Sequence, residues 1–180
     1  MNALEKDQDA EFLRTLSLLY VEDEEEVRRE LTRFLSRRFA KVDVAANGQE
    51  GLELFRQLGG YDIVVTDVRM PVMDGLSMAA AIKDIQREVP VIVITAYNEK
   101  DYYVRAIEIG IDRYITKPVD PFLLMEAVSR SAKMHFHQRE IERAREETTE
   151  ALNQVVAVLA RAIEVRDPYT DGHQKRVSQL

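Results

Sequence analysis

Cysteine is absent from this chain of 180 residues. That excludes a disulfide scaffold, a thiolate metal site and a cysteine nucleophile. It fits a reducing compartment, and a cytoplasmic protein is expected. An excess of positive charge is absent too: 25 Lys+Arg stand against 32 Asp+Glu, a net charge of −7. A protein that grips phosphate backbones needs a basic patch, so no nucleic-acid partner is expected. Long apolar runs are missing. The longest near the C-terminus, residues 155–160, falls far short of the ~18 residues of a membrane span. The N-terminus is acidic and lacks the apolar core of a secretory signal, so no membrane partner is expected. There is no G-x-x-x-x-G-K-[ST] and no G-x-G-x-x-G, hence no phosphate-cradling nucleotide loop.

What is present is a rhythm. Short runs rich in β-branched or aromatic residues occur at Leu16–Val21, Lys41–Ala45, Tyr61–Thr66, Val91–Thr95 and Arg113–Thr116. They read as buried strands. Between them lie helical stripes: Val27, Leu31, Phe34 and Leu35; Leu52, Leu54, Phe55 and Leu58; Met78, Ala81, Ile82 and Ile85; Val104, Ile107 and Ile109. Asn47 with Glu50 three positions on is a capping pair for the second helix. Strand–helix alternation at this spacing predicts an α/β fold, a doubly wound five-stranded parallel sheet with helices on both faces.

Residues 122–167 contain neither Gly nor Pro. Asp120-Pro121 is a start signal and Asp167-Pro168 a stop. One helix of that length would reach about 69 Å at 1.5 Å per residue, too long for a globular domain of this size. A 3-4 spaced seam runs through Leu124, Ala127, Ser131, Met134, Gln138, Ile141, Arg145, Thr148, Leu152, Val155, Leu159 and Ala162. Apolar ends and a polar middle predict a weak coiled coil between two copies. Arg143 and Glu147 can pair across one turn. The expected organisation is a polar lead-in over 1–14, a domain over 15–135, a helical linker over 136–166 and the start of another domain over 167–180.

Ligands in open parallel sheets bind beyond the carboxyl ends of the strands. The first strand delivers Glu22 and Asp23 there, the third Asp67, the fourth Thr95, the fifth Lys117. Clustered carboxylates cannot all stay ionised without a cation. All-oxygen ligation points to Mg²⁺ or a similar hard ion. Lys117 can hold a phosphoryl oxygen by charge, and Thr95 can donate a hydrogen bond to another. One carboxylate is then left as a nucleophile toward phosphorus, and Asp67, alone at a central strand end, is the candidate. Met70, Met73 and Met78 read as loop and core packing, and Pro71 and Gly75 as shaping the turn after Asp67.

Four motifs in order, Leu18-Leu-Tyr-Val-Glu-Asp, Val64-Val-Thr-Asp-Val-Arg-Met-Pro-Val-Met-Asp-Gly75, Ile94-Thr-Ala96 and Tyr114-Ile-Thr-Lys-Pro118, resemble the receiver domain of bacterial two-component response regulators. The resemblance implies that Asp67 is phosphorylated by a histidine kinase. It makes Asp23 a direct Mg²⁺ ligand and gives Glu22, where the family more often has Asp, a water-mediated role. The backbone carbonyl of Arg69 would also face the metal. Thr95 and Lys117 would bind the phosphoryl oxygens, and Tyr114 would change rotamer with Thr95. The Lys117-Pro118 peptide is often cis in this family.

Farther on, Arg166-Asp-Pro-Tyr-Thr-Asp-Gly-His173 resembles the opening of an HD-GYP phosphodiesterase, which hydrolyses cyclic di-GMP. There His173 would be the first metal ligand of a longer parent. One His makes no binuclear site, so no enzyme activity is expected of these 180 residues. His135 and His137, two apart on a helix, point to different faces and do not read as a metal pair. Two other functions compete with this reading. A phosphatase working through an aspartyl-phosphate, of the haloacid-dehalogenase type, needs an acid two positions after the nucleophile, where this chain has Arg69. A vestigial receiver that only scaffolds a dimer is at odds with the intact acid, Thr and Lys set.

Overall fold

A computed structural model describes residues 9–96 and 100–166, with all their side chains except those of 100–103 and 162–166. Contacts divide the chain into two units, residues 1–136 and 137–180.

The first unit holds five strands, β1 (Ser17–Val21), β2 (Lys41–Ala45), β3 (Ile63–Asp67), β4 (Val91–Thr95) and β5 (Arg113–Thr116). They form one parallel sheet in the order β2-β1-β3-β4-β5. The helices α1 (Glu25–Leu35), α2 (Gly48–Leu58), α3 (Gly75–Ile85) and α4 (Lys100–Ile109) alternate with them, and α5 runs from Pro121 to Arg166. Side chains alternate across a strand, and the core splits accordingly. Leu19, Val21, Val64, Val91 and Val93 face one layer with Leu52 and Phe55 of α2, Leu76, Met78 and Ile82 of α3, and Ala106 of α4. Leu18, Tyr20, Ile63, Val65, Ile92, Ile94 and Ile115 face the other with Leu31 and Leu35 of α1 and Leu124, Val128 and Ala132 of α5.

Local chemistry sets the helix starts. Asn47 caps α2, its side chain accepting from Glu50 N–H at 3.0 Å, while Glu50 accepts from Ala46 N–H at 3.0 Å. The spacing is that of a capping box, but Glu50 reaches past the cap to the preceding N–H and also accepts from the Asn47 amide at 2.8 Å. Asp74 caps α3, accepting from Ser77 N–H at 2.7 Å. Burial and the Arg105 charge act on Asp74 in opposite senses. The hydrogen bonds from Ser77 and the Arg105 charge prevail and hold its carboxyl below the usual range.

Three stripes differ from the sequence reading. Val104 and Ile107 lie on the outer face of α4 and are exposed, as are Leu58 at the end of α2 and Ile85 at the end of α3. The packing position of α4 is the small Ala106. A short side chain allows close approach to the sheet, and three apolar residues at i, i+3, i+5 do not define a single face.

The core also reaches back before β1. Residues 9–13 are helical, Leu13 is buried, and Phe12 packs edge-on against Phe136 with ring centroids 5.6 Å apart. Asp9 pairs with Lys133 and accepts from Ser129. On the root of α5 the seam positions Leu124 and Ser131 are fully buried against the sheet. They belong to the core of the first unit, and only later seam positions are open. In the second unit the helix continues through residue 166, with Arg143 and Glu147 paired at 3.4 Å. Its Leu152, Val155, Val156, Val158 and Leu159 are all exposed.

Candidate functional site

The strand order puts β1 beside β3, so the residues that follow them meet at one sheet edge. Glu22 and Asp23 leave β1 and Asp67 ends β3. One carboxylate oxygen from each of the three lies within 4.8 Å of the others. β4 brings Thr95 to its end, where it is buried, and β5 leads into Lys117, whose peptide with Pro118 is cis.

Lys117 organises the cluster. Its ammonium lies 2.6 Å from Asp67 Oδ2, 3.3 Å from Glu22 Oε1 and 3.7 Å from Glu24 Oε1. Burial works against the ammonium, but Asp67 and Glu22 outweigh it and hold its pKa above the ordinary value. The pKa of Glu22 is raised as well, which for a carboxyl disfavours the charged form. Burial, then the negative charge of Asp67, push its carboxyl up to about 7 despite Lys117. Its Oε2 is buried without a hydrogen bond of ordinary geometry among the described residues, and the buried Tyr20 hydroxyl is near enough to act on the same carboxylate. Three carboxylates within reach of one another offer more acceptor oxygens than Lys117 satisfies, and this all-oxygen donor set fits a hard divalent ion.

The backbone around the acids is fixed as well. Glu22 N–H donates to Ala45 C=O at 3.2 Å, and Glu24 N–H to Glu22 Oε1 at 3.4 Å. Arg69 N–H reaches Asp67 Oδ1 at 3.4 Å. Gly75 passes so close to Asp67 that a Cβ there would sit 1.8 Å from the Asp67 carbonyl oxygen. Tyr114 is half-buried and packs against the core layer that holds α4. Met78 is buried in that same layer, and Met70 and Met73 pack against it.

Glu22, Asp23, Asp67 and Lys117 thus form one cluster, with Thr95 at the neighbouring strand end. His173 lies outside the described residues. His135 holds no metal company: its Nε2 sits 2.6 Å from Asp112 Oδ1. Two members escape a reading of the sequence, Glu24 beside Lys117 and Arg28. The Arg28 Nη1 donates to the carbonyls of Glu22 at 2.5 Å and Asp23 at 3.0 Å. Only its position one helical turn into α1 hints at this.

Comparison with known proteins agrees with this architecture. The profile of the response regulator receiver domain matches residues 18–129. The transcriptional regulatory protein SrrA of Staphylococcus aureus is 36% identical over 104 residues, which are 58% of this chain and 42% of SrrA. The match therefore spans less than half of that relative. The N-terminal domain of an uncharacterised protein (WS1339) from Wolinella succinogenes superposes with a TM-score of 0.64 at 35% identity, covering 69% of this chain and 99% of that one. A CheY-like receiver domain protein from Methanospirillum hungatei shares the fold at 22% identity, with a TM-score of 0.65 over 69% of this chain and 98% of its own.

Proposed function

We propose, for a chain that belongs to the response regulator receiver family of two-component systems, that Asp67 is the phosphoacceptor of a Mg²⁺-dependent signalling switch. The observation that carries this reading is the placement of Lys117, 2.6 Å from Asp67 Oδ2, beside two further carboxylates in metal-binding reach.

Glu22, Asp23, Asp67 and the Arg69 carbonyl would hold the ion, which when bound neutralises charge on the transferring phosphoryl oxygens. An Asp67 oxygen forms the new bond to phosphorus. The bond to the kinase histidine nitrogen breaks, and that nitrogen keeps the electron pair. Lys117 exchanges its contact with Asp67 for one with a phosphoryl oxygen, and Thr95 donates to another. The added charge draws Thr95 inward, Tyr114 follows, and α4 and β5 shift.

The output half of the proposal rests on sequence. Two copies pair through the exposed seam of α5, and in a longer parent the helix leads into an HD-GYP phosphodiesterase acting on cyclic di-GMP, with His173 as its first metal ligand. The chain acts in the cytoplasm. Among the described residues no helix is long and apolar enough to cross a membrane. SrrA is named as a transcriptional regulator, but the net charge of −7 gives no support to direct nucleic-acid contact here. The second reading is a vestigial receiver that only scaffolds the dimer.

The test is the intact mass after incubation with Mg²⁺ and acetyl phosphate. Wild type is expected to gain one labile phosphoryl group and Asp67→Asn none, with Lys117→Ala labelled weakly. No adduct on wild type, where a control receiver labels, leaves the scaffold.

A further inference from the structure

We infer that Arg28 is a positioning residue for the acidic loop, pinning the two peptide carbonyls that flank its carboxylates and so raising the loop's affinity for a divalent cation. The inference rests on the metal site proposed above.

The accounting of backbone groups leads to it. A buried or half-buried peptide group needs a partner. Between β1 and α1 the N–H groups of Glu22 and Glu24 are used as described. The carbonyls of Glu22 and Asp23 both accept from the same guanidinium nitrogen, at 2.5 and 3.0 Å. The backbone that carries Arg28 belongs to the first turn of α1, its N–H donating to Glu24 C=O at 2.8 Å. Loop and helix turn are therefore closed into one unit. Remove the guanidinium and the peptide planes on both sides of Asp23 each lose a restraint, leaving the second held by the long Glu24 N–H bond alone, so that the carboxylates of Glu22 and Asp23 can shift. Groups that orient ligands without touching the ion are worth about 10–100-fold in affinity.

A second effect opposes this one. The guanidinium is a full positive charge near a cation site, and its repulsion lowers affinity. Two carbonyl dipoles aimed at it offset that charge, so orientation dominates. The two effects predict opposite signs for Arg28→Ala, which makes the inference decidable.

The experiment is titration of the full chain with Mn²⁺, a hard-ion probe whose free form is counted by its electron paramagnetic resonance. Arg28→Ala is expected to weaken Mn²⁺ binding about tenfold and to speed amide exchange at Asp23 and Glu24. Arg28→Lys, which keeps the charge on a shorter reach, should recover part of the loss. Arg29→Ala removes an equal charge from the exposed side of α1 and should bind like wild type. Labelling of Arg28→Ala by acetyl phosphate should be slow at low Mg²⁺ and return to the wild-type rate at saturation. Equal or tighter Mn²⁺ binding by Arg28→Ala, or an equal loss in Arg29→Ala, overturns the inference while leaving the site intact. If Arg28→Ala does not fold, Arg28→Lys decides, with wild-type affinity counting against. A wild type that takes up no Mn²⁺ sinks the metal site and this inference together.

Discussion

Val72 sits in the turn after Asp67 with φ 68°, a left-handed conformation that a β-branched side chain resists. It is 84% exposed, so replacing it forfeits little packing. Val72→Asn should therefore stabilise the fold by about 1 kcal/mol, read as a raised midpoint in urea at unchanged slope. Gly75 presents the reverse case. Its missing Cβ is what lets α3 start against the Asp67 carbonyl, and backbone cannot step aside as a side chain can. Gly75→Ala should cost about 3 kcal/mol, the upper end of overpacking, and displace Asp67, lowering adduct yield as well as stability. Asp67, Thr95 and Lys117 are legible in the sequence because strand ends are legible and each type has one chemistry to offer there. Arg28 is not, because its partners are peptide carbonyls, which every residue carries. The burial of the Glu22 carboxyl is equally silent, since it depends on how tightly the sheet closes over it.

Strands and their order of use follow from short β-branched runs, and the long helix follows from a span without Gly or Pro. The face each helix buries is less legible. Ala106 in place of Val104 and Ile107 is decided by how near α4 lies to the sheet, a tertiary quantity. Contacts between distant elements are hidden for the same reason. Asp112, just before β5, accepts from Val91 N–H at 2.8 Å and meets Lys83 of α3 at 3.2 Å and His135 of α5 at 2.6 Å. Burial opposes its charge, but the bonds from His135 and Val91, with the charge of Lys83, prevail and hold its carboxyl below the usual range. A depressed carboxylate stabilises the fold above its unfolded pKa of about 3.9 and loses that contribution as pH falls through the lower folded value. Asp112→Asn should thus cost about 1–3 kcal/mol near neutrality. The difference from wild type should shrink steadily in urea melts taken below about pH 4. A difference that stays constant down to pH 2 would mean the loss is packing and not charge.

At the scale of the whole chain, the apolar residues of the second unit ask for a partner. Leu152, Val155 and Leu159 recur at 3-4 spacing, each more than half exposed, while Gln138, Arg145 and Thr148 weaken the seam before them. A seam of this kind associates mainly through its apolar end. Leu152→Lys with Leu159→Lys should leave the receiver's melting unchanged and convert a dimer to a monomer in sedimentation; a wild type that is already monomeric refutes pairing. The family profile begins at residue 18 and ends at 129, yet Leu13 is in the core and Phe12 meets Phe136 beyond both limits. The domain is thus closed by a belt whose two ends come from opposite sides of the family's span. A piece cut to the shared span would carry every residue of the candidate site and still expose the greasy flank of its last helix. Its tendency to precipitate would report the lost belt and say nothing about the carboxylate cluster.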